Sequence, residues 1–142
     1  MMQGARLKLS LEIDGASRGR HVRDVVQELV RLQWVRGALI VAPDGFVIAA
    51  ELPPAIKVEP LAALAATLGR DLEVGASRLG RGAFQTAMFS ADDGTMFLAA
   101  TTIGFVVAMA EPQANLQTVR GGLADAVTMI EAAWVGTAAA GG

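Results

Sequence analysis

GALIVAPDGFVIAAEL, residues 37–52, is the stretch that sets the fold class. Two apolar runs flank Pro43-Asp44-Gly45. Asp-Gly supplies the positive-φ turn that a tight hairpin wants, so the stretch reads as two antiparallel strands. Neither run alternates cleanly between apolar and polar residues. Strands of that kind lie inside a sheet covered on both faces. Such a sheet needs helices on either side, and the flanking sequence supplies them.

Upstream, Val22, Val25, Val26 and Leu29 fall at i, i+3, i+4 and i+7, and Leu32 continues the stripe. Arg23, Asp24, Gln27, Glu28 and Arg31 lie off it. The spacing predicts an amphipathic helix of roughly 12–14 residues starting at His21. Before it, RLKLSLEI (6–13) alternates strictly, with Leu7, Leu9, Leu11 and Ile13 on one side and Arg6, Lys8, Ser10 and Glu12 on the other. That is an amphipathic strand pattern, closed by the break GASRGR at 15–20. Residues 1–20 thus read as an N-terminal strand-like arm.

Downstream, Pro53-Pro54 ends the hairpin and Glu59-Pro60 opens a second helix. Leu61, Leu64, Ala65, Leu68 and Leu72 form the expected core stripe. The opposite side, Ala62, Ala63, Ala66 and Gly69, is small and uncharged. A helix apolar nearly all round is buried all round, and in a short chain a second subunit is one source of that burial. Gly75, Gly80 and Gly82 then break the chain. AFQTAMFS (83–90), the turn at 91–94, TMFLAAT (95–101) and GFVVAMA (104–110) read as three strands. Asn115 is the expected N-cap of a last helix whose stripe runs Leu116, Val119, Leu123, Ala126, Val127, Ile130 and Trp134. Gly121-Gly122 inside it suggests close packing of another backbone or simple drift. Residues 136–142 read as a flexible tail. The fold class expected is α/β (α+β), a five-stranded antiparallel sheet between helices in the order α-β-β-α-β-β-β-α, with residues 21–135 forming one domain.

Composition narrows the functions. The chain has 142 residues, 53% of them hydrophobic and 18% charged, enough for a sizeable core in a single domain. Cysteine and tyrosine are absent and there is one histidine, which removes disulfide scaffolds, thiolate metal sites and thiol nucleophiles. A net charge of −2 argues against nucleic acid as the main partner. The charge is uneven: residues 1–36 hold seven Lys/Arg against four Asp/Glu, residues 82–142 one against five. A basic front and an acidic back steer a partner, or reflect ordinary surface scatter. Glu12 and Asp14 interrupt any signal-peptide core in the first 20 residues, so a cytoplasmic location is expected. The uncharged stretch 94–110 has 17 residues, the lower limit for a spanning helix, but its β-branched and aromatic residues suit two buried strands better.

The search for catalytic chemistry returns little. Neither lysine, Lys8 or Lys57, follows glycine, so there is no Walker-type loop. His21 reads as a solvated first-turn residue, Asp92-Asp93 as turn carboxylates, and Arg70, Asp71 and Glu73 as solvated charges. No catalytic, cofactor-binding or metal-binding residue is assigned, and no cofactor is expected.

VRGALIVAPDGFVIAA (35–50), EPLAALAATLGRDLE (59–73), FQTAMFSADDGTMFLAAT (84–101) and GFVVAMAEPQANLQTVRGGLADAV (104–127) together resemble the Roadblock / dynein light chain family, and within it the bacterial MglB-like regulators. The resemblance covers about residues 21–134, and its most specific element is the hairpin at Asp44-Gly45. It implies a homodimer joined through the third strands and second helices, forming a platform for a small Ras-like GTPase. Some members stimulate hydrolysis by ordering the GTPase's own groups; others only scaffold. The small face of helix 59–73 fits such a seam: Ala62, Ala66 and Gly69 let backbones approach, with Arg70 and Glu73 at the rim. The strand carrying Phe84, Thr86 and Met88 is the candidate for pairing across the dimer. The expected function is a non-enzymatic homodimeric regulator or scaffold of a small GTPase. The alternatives are a purely structural light-chain-type subunit, a small-ligand sensor, and an arginine finger from Arg70, Arg78 or Arg81, for each of which plain solvation is the simpler reading. The arm at 6–13 departs from the family's core, and leaves open whether it adds an edge strand, swaps onto a partner or stays disordered.

Overall fold

The computed structural model describes the backbone of residues 21–141 and the side chains of residues 21–133. The arm at 6–13 and Trp134 of the last stripe lie outside the described side chains. Helix α1 covers residues 21–31. It is followed by β1 (Val35–Val41), β2 (Val47–Glu51), α2 (Val58–Arg78), β3 (Thr86–Ala91), β4 (Gly94–Thr101), β5 (Gly104–Ala110) and α3 (Leu116–Gly141). The five strands form one antiparallel sheet in the order β2-β1-β5-β4-β3. The three helices and five strands have the order read from the sequence.

The sheet separates two cores. On one face Val22, Val25, Val26 and Leu29 of α1 and Val119, Leu123, Ala126 and Ile130 of α3 pack on Ala38, Ile40, Phe97 and Val106. On the other, Ala62, Ala65 and Ala66 of α2 pack on Leu39, Val41, Leu98, Phe105 and Val107. Alternate residues of β1 and β5 therefore feed opposite cores, which is why these strands lack polar alternation. Gly94 to Ala110 forms β4 and β5 and their turn, and no helix among the described residues is long and apolar enough to cross a membrane.

The structure corrects several boundaries. β2 lies at the sheet edge, with Ala50 and Glu51 exposed, so only β1 of the first hairpin is covered on both faces. In the hairpin turn, Gly45 N–H donates to the Ala42 carbonyl at 2.9 Å, and only Gly45 has a positive φ, +94°. Asp44 instead accepts the Phe46 N–H on Oδ1 at 3.1 Å, an Asx-turn. Proline one residue before it favours this wider turn over a two-residue one. Helix α2 runs on to Arg78, through Gly75. One glycine costs about 1 kcal/mol, too little to end a helix held by packing over its length. β3 starts at Thr86, three residues later than expected.

At the first helix His21 is half-buried, and its Nε2 lies 3.0 Å from the Met129 carbonyl of α3. A carbonyl only accepts, so Nε2 carries the proton and ties the start of α1 to α3. The solvated reading of His21 fails because the helices share a face. Asn115 caps α3 as expected, its Oδ1 accepting the Gln117 and Thr118 N–H groups at 3.0 and 3.1 Å. Of the two glycines in α3, Gly122 faces Leu32, whose Cδ1 would be 2.4 Å from a Cβ there, while Gly121 faces open space. The helical backbone of α3 continues to Gly141, through residues read as a tail; the alanines at 138–140 are the strongest helix formers.

Candidate docking surface

The decisive element is α2: Leu61, Ala65, Leu68 and Leu72 of the expected stripe pack on the sheet as read, but so do Ala62, Ala66 and Gly69 of the small side, while Leu64 turns out. Ala62 and Ala65 are fully buried, Ala66 is 1% exposed, and all three face the sheet with Gly69. A Cβ on Gly69 would lie 2.5 Å from the Phe105 ring. The bulk in this core comes from the strands (Phe105, Leu98, Val107, Leu39), so the helix must be thin where it crosses them. The small face is therefore a close approach within one protomer. Leu64, assigned to the core stripe, is 50% exposed. The apolar periodicity leaves the rotation of the helix about its axis open, and the volume already occupied by the sheet sets it.

The outward face of α2 carries Ala63, Leu64, Thr67, Asp71 and Val74, all exposed. Val74, like Leu64, leaves about half of its surface in water. Arg70 lies beside this face, but it is not free to project: its Nη1 donates to the Pro43 carbonyl at 3.0 Å. It thereby pins the tip of the β1–β2 hairpin to α2. Phe46, next to that tip, is 71% exposed. Glu73 is exposed one turn further on, over an open groove of about 470 Å³ that Ser77, Phe84, Thr101 and Glu131 also line. Glu131 is held there by accepting the Thr102 N–H at 2.7 Å.

The second feature is the β3 edge. It pairs with β4 from Thr86↔Ala99 to Ala91↔Gly94, and no strand of the described residues pairs with its other side. Thr86 and Met88 are exposed there, and Phe84, just before the strand, is half-buried against the α2-side core. Phe89, absent from the residues picked out of the sequence, is 39% exposed and pairs with Met96 on the α2 face. The structure thus puts Phe89, Leu64 and Val74 outside while drawing Ala62, Ala66 and Gly69 in. The sequence marks AFQTAMFS as a strand and the resemblance marks it as the pairing one; the exposure of Phe89 and of Leu64 comes from the structure alone.

The chemistry available is limited. Among the described residues no group of three or more His, Asp and Glu is placed to hold a metal ion. The pocket between α1 and α3, lined by Leu29, Leu32, Ala126 and Met129 with Glu28 and Asp125 at its rim, holds only about 180 Å³. That is below the size range of small-molecule sites.

Known proteins share this arrangement. The model of the Roadblock/LC7 domain matches residues 21–111, well over half of the chain. The chain belongs to the Roadblock/LC7 family. It is 27% identical over 96 residues to uncharacterized protein MJ0310 of Methanocaldococcus jannaschii, covering 68% of this chain and 84% of that one. The fold is similar to Myxococcus xanthus MglB, with a TM-score of 0.78 at 15% identity over 83% of this chain and 90% of that one. It is also similar to the gliding protein MglB of Thermus thermophilus, with a TM-score of 0.72 at 21% identity over 82% and 90%. The match to the Roadblock model spans α1 through β5 and includes the hairpin turn at Asp44-Gly45.

Proposed function

We propose that this Roadblock protein is a regulator or scaffold without a reaction centre of its own, which pairs with a second copy of itself in the cytoplasm and docks a small Ras-like GTPase on the paired second helices. The observation that carries the reading is apolar exposure at two places: Met88 and Phe89 on the unpaired β3 edge, and Leu64 and Val74 on the outer face of α2. An open strand edge with apolar side chains is a template for pairing. Joining two β3 edges would extend the sheet and bring the two α2 helices side by side. The MglB fold likeness and the family membership support the GTPase as occupant of the resulting platform.

This reading relocates the seam expected from the sequence. Ala62, Ala66 and Gly69 are committed to the protomer's own core, so the residues proposed to meet a partner are Leu64, Val74, Thr86, Met88 and Phe89, with Glu73 at the rim. Arg70 acts by fixing the hairpin beside the platform, not as a finger.

The test is purification with a small GTPase, in its GDP and GTP forms, followed by single-turnover hydrolysis with and without this protein. Nucleotide-dependent co-elution with faster hydrolysis supports the regulator. Co-elution with unchanged hydrolysis assigns a scaffold. Failure to bind in either form, together with a monomeric sedimentation coefficient at all concentrations, rejects the proposal.

A further inference from the structure

The groove at the end of α2 carries two carboxylates and no cation among the described residues that line it. We propose that it seats an arginine side chain from an extended segment of a partner protein, with the guanidinium between Glu73 and Glu131 and the alkyl stem against Phe84. The proposal is independent of the GTPase reading. Glu73 is a rim residue of the seam proposed above, and rim positions stay in contact with water.

The walls come from separate elements. Glu73 and Ser77 belong to the last two turns of α2, Glu131 to α3, and Thr102 to the turn after β4. α2 and α3 lie on opposite faces of the sheet, so the groove spans the end of the sheet from one helix layer to the other. Its volume of about 470 Å³ falls within the roughly 300–1,000 Å³ of ligand sites.

The charge is arranged for a cation from outside. Among the described residues Glu73 has no hydrogen-bond or ion-pair partner. Arg70, one turn earlier, is turned to the Pro43 carbonyl and to Thr67. Arg78 and Arg81 follow in the chain and do not line the groove. Glu131 is held by the Thr102 N–H, which donates to its Oε1 at 2.7 Å. A backbone N–H orients a carboxylate without cancelling its charge. The Glu28 and Glu111 carboxylates, by contrast, each meet an arginine of the chain itself.

The floor selects the kind of cation. Phe84 and Ala100 are half-buried against the α2-side core and turn an apolar surface to the groove. Arginine matches this combination: its planar fork suits carboxylates, its stem covers apolar surface, and its guanidinium stacks on a ring. Beside Phe84, Gly82 has a φ of +87°, and no atom lies within 4 Å of where its Cβ would be. The main chain of an extended segment can therefore pass close to it. A metal ion is the poorer occupant, because no group of three or more His, Asp and Glu among the described residues is placed to hold one.

Amide chemical-shift titration of the full chain tests the site. The probes are a capped Leu-Arg-Leu peptide and its citrulline counterpart, which keeps the shape and loses the charge. Shifts should gather at the Gly82, Phe84, Ala100 and Thr102 amides, and the citrulline peptide should bind about tenfold more weakly. Added salt should weaken the arginine peptide. Glu73→Gln and Glu131→Gln each remove one charge and keep the shape, and the amide oxygen at 131 still accepts the Thr102 N–H. Each should weaken the arginine peptide about threefold; Glu73→Gln carries the test if the change at 131 disturbs the turn. Equal affinity for the citrulline peptide or for a lysine peptide would overturn the proposal. So would shifts centred on Asp92-Asp93 or Glu28, unchanged affinity in both glutamine variants, or no shift up to about 10 mM peptide.

Discussion

Gly69 and Ala66 show how little volume α2 has to spare. Adding even a methyl at Gly69 brings it to 2.5 Å from Phe105, and overpacking of this kind costs about 1–3 kcal/mol. Gly69→Ala should lower the midpoint of chemical denaturation accordingly, and Phe105→Leu in the same chain should return part of the loss. Strictly additive losses, without coupling, would show that the ring is not the obstacle. Ala66→Arg is harsher. At 1% exposure the guanidinium would be buried without a partner, at a cost of about 3–5 kcal/mol. We expect this variant to lose its cooperative melt, so its failure to dimerise would say nothing about an interface. Trp34 carries the one positive φ outside glycine among the described residues, +68°. It sits in the turn after α1, where its carbonyl accepts the Glu111 N–H at 2.8 Å; that bond and the adjoining β1–β5 ladder hold the left-handed conformation in place.

At the scale of elements, side chains tie neighbouring pieces that backbone ladders do not join. Arg70 holds the β1–β2 hairpin against α2. It is exposed, so the bond contributes about 1 kcal/mol or less. Arg70→Met should leave the thermal midpoint nearly unchanged yet speed exchange at the Gly45 and Phe46 amides. Unaltered exchange there would mean the tip is held by its own turn. His21 joins α1 to α3 through the Met129 carbonyl. His21→Ala should cost about 1 kcal/mol, seen as a lower denaturation midpoint with protection lost first in α1.

For the whole molecule the question is which surfaces tolerate change. Leu64 and Phe89 face water in the single protomer, and substitutions at such places usually shift stability by less than about 0.5 kcal/mol. Leu64→Arg and Phe89→Lys should therefore melt like the parent chain. If the seam proposed above is right, both should shift sedimentation toward the monomer at concentrations where the parent is paired. A parent chain that pairs and variants that pair equally well would move the seam elsewhere. Charge is distributed along the same lines: the last 61 residues, which hold β3 to β5 and α3, carry five acids against one arginine, so association should weaken or strengthen with salt according to the sign of the partner.

Apolar spacing, turn residues and caps in the sequence determined the element order, the hairpin at Asp44-Gly45, the cap at Asn115 and the two buried strands in 94–110, and the resemblance of residues 35–50, 59–73, 84–101 and 104–127 pointed to the family. These are local properties: turn residues, caps and the spacing of apolar side chains act over a few positions and need no knowledge of neighbours. Only the tertiary structure decided that β2 is an edge, that His21 is tied to Met129, and above all that α2 turns its alanines inward and Leu64 outward. A helix that is apolar on two sides offers two ways to pack. The choice rests with Phe105 and Leu98, strand residues distant in the chain, whose bulk leaves room directly beneath the helix for methyl groups and a glycine, with Leu61, Leu68 and Leu72 packed only partly buried beside them.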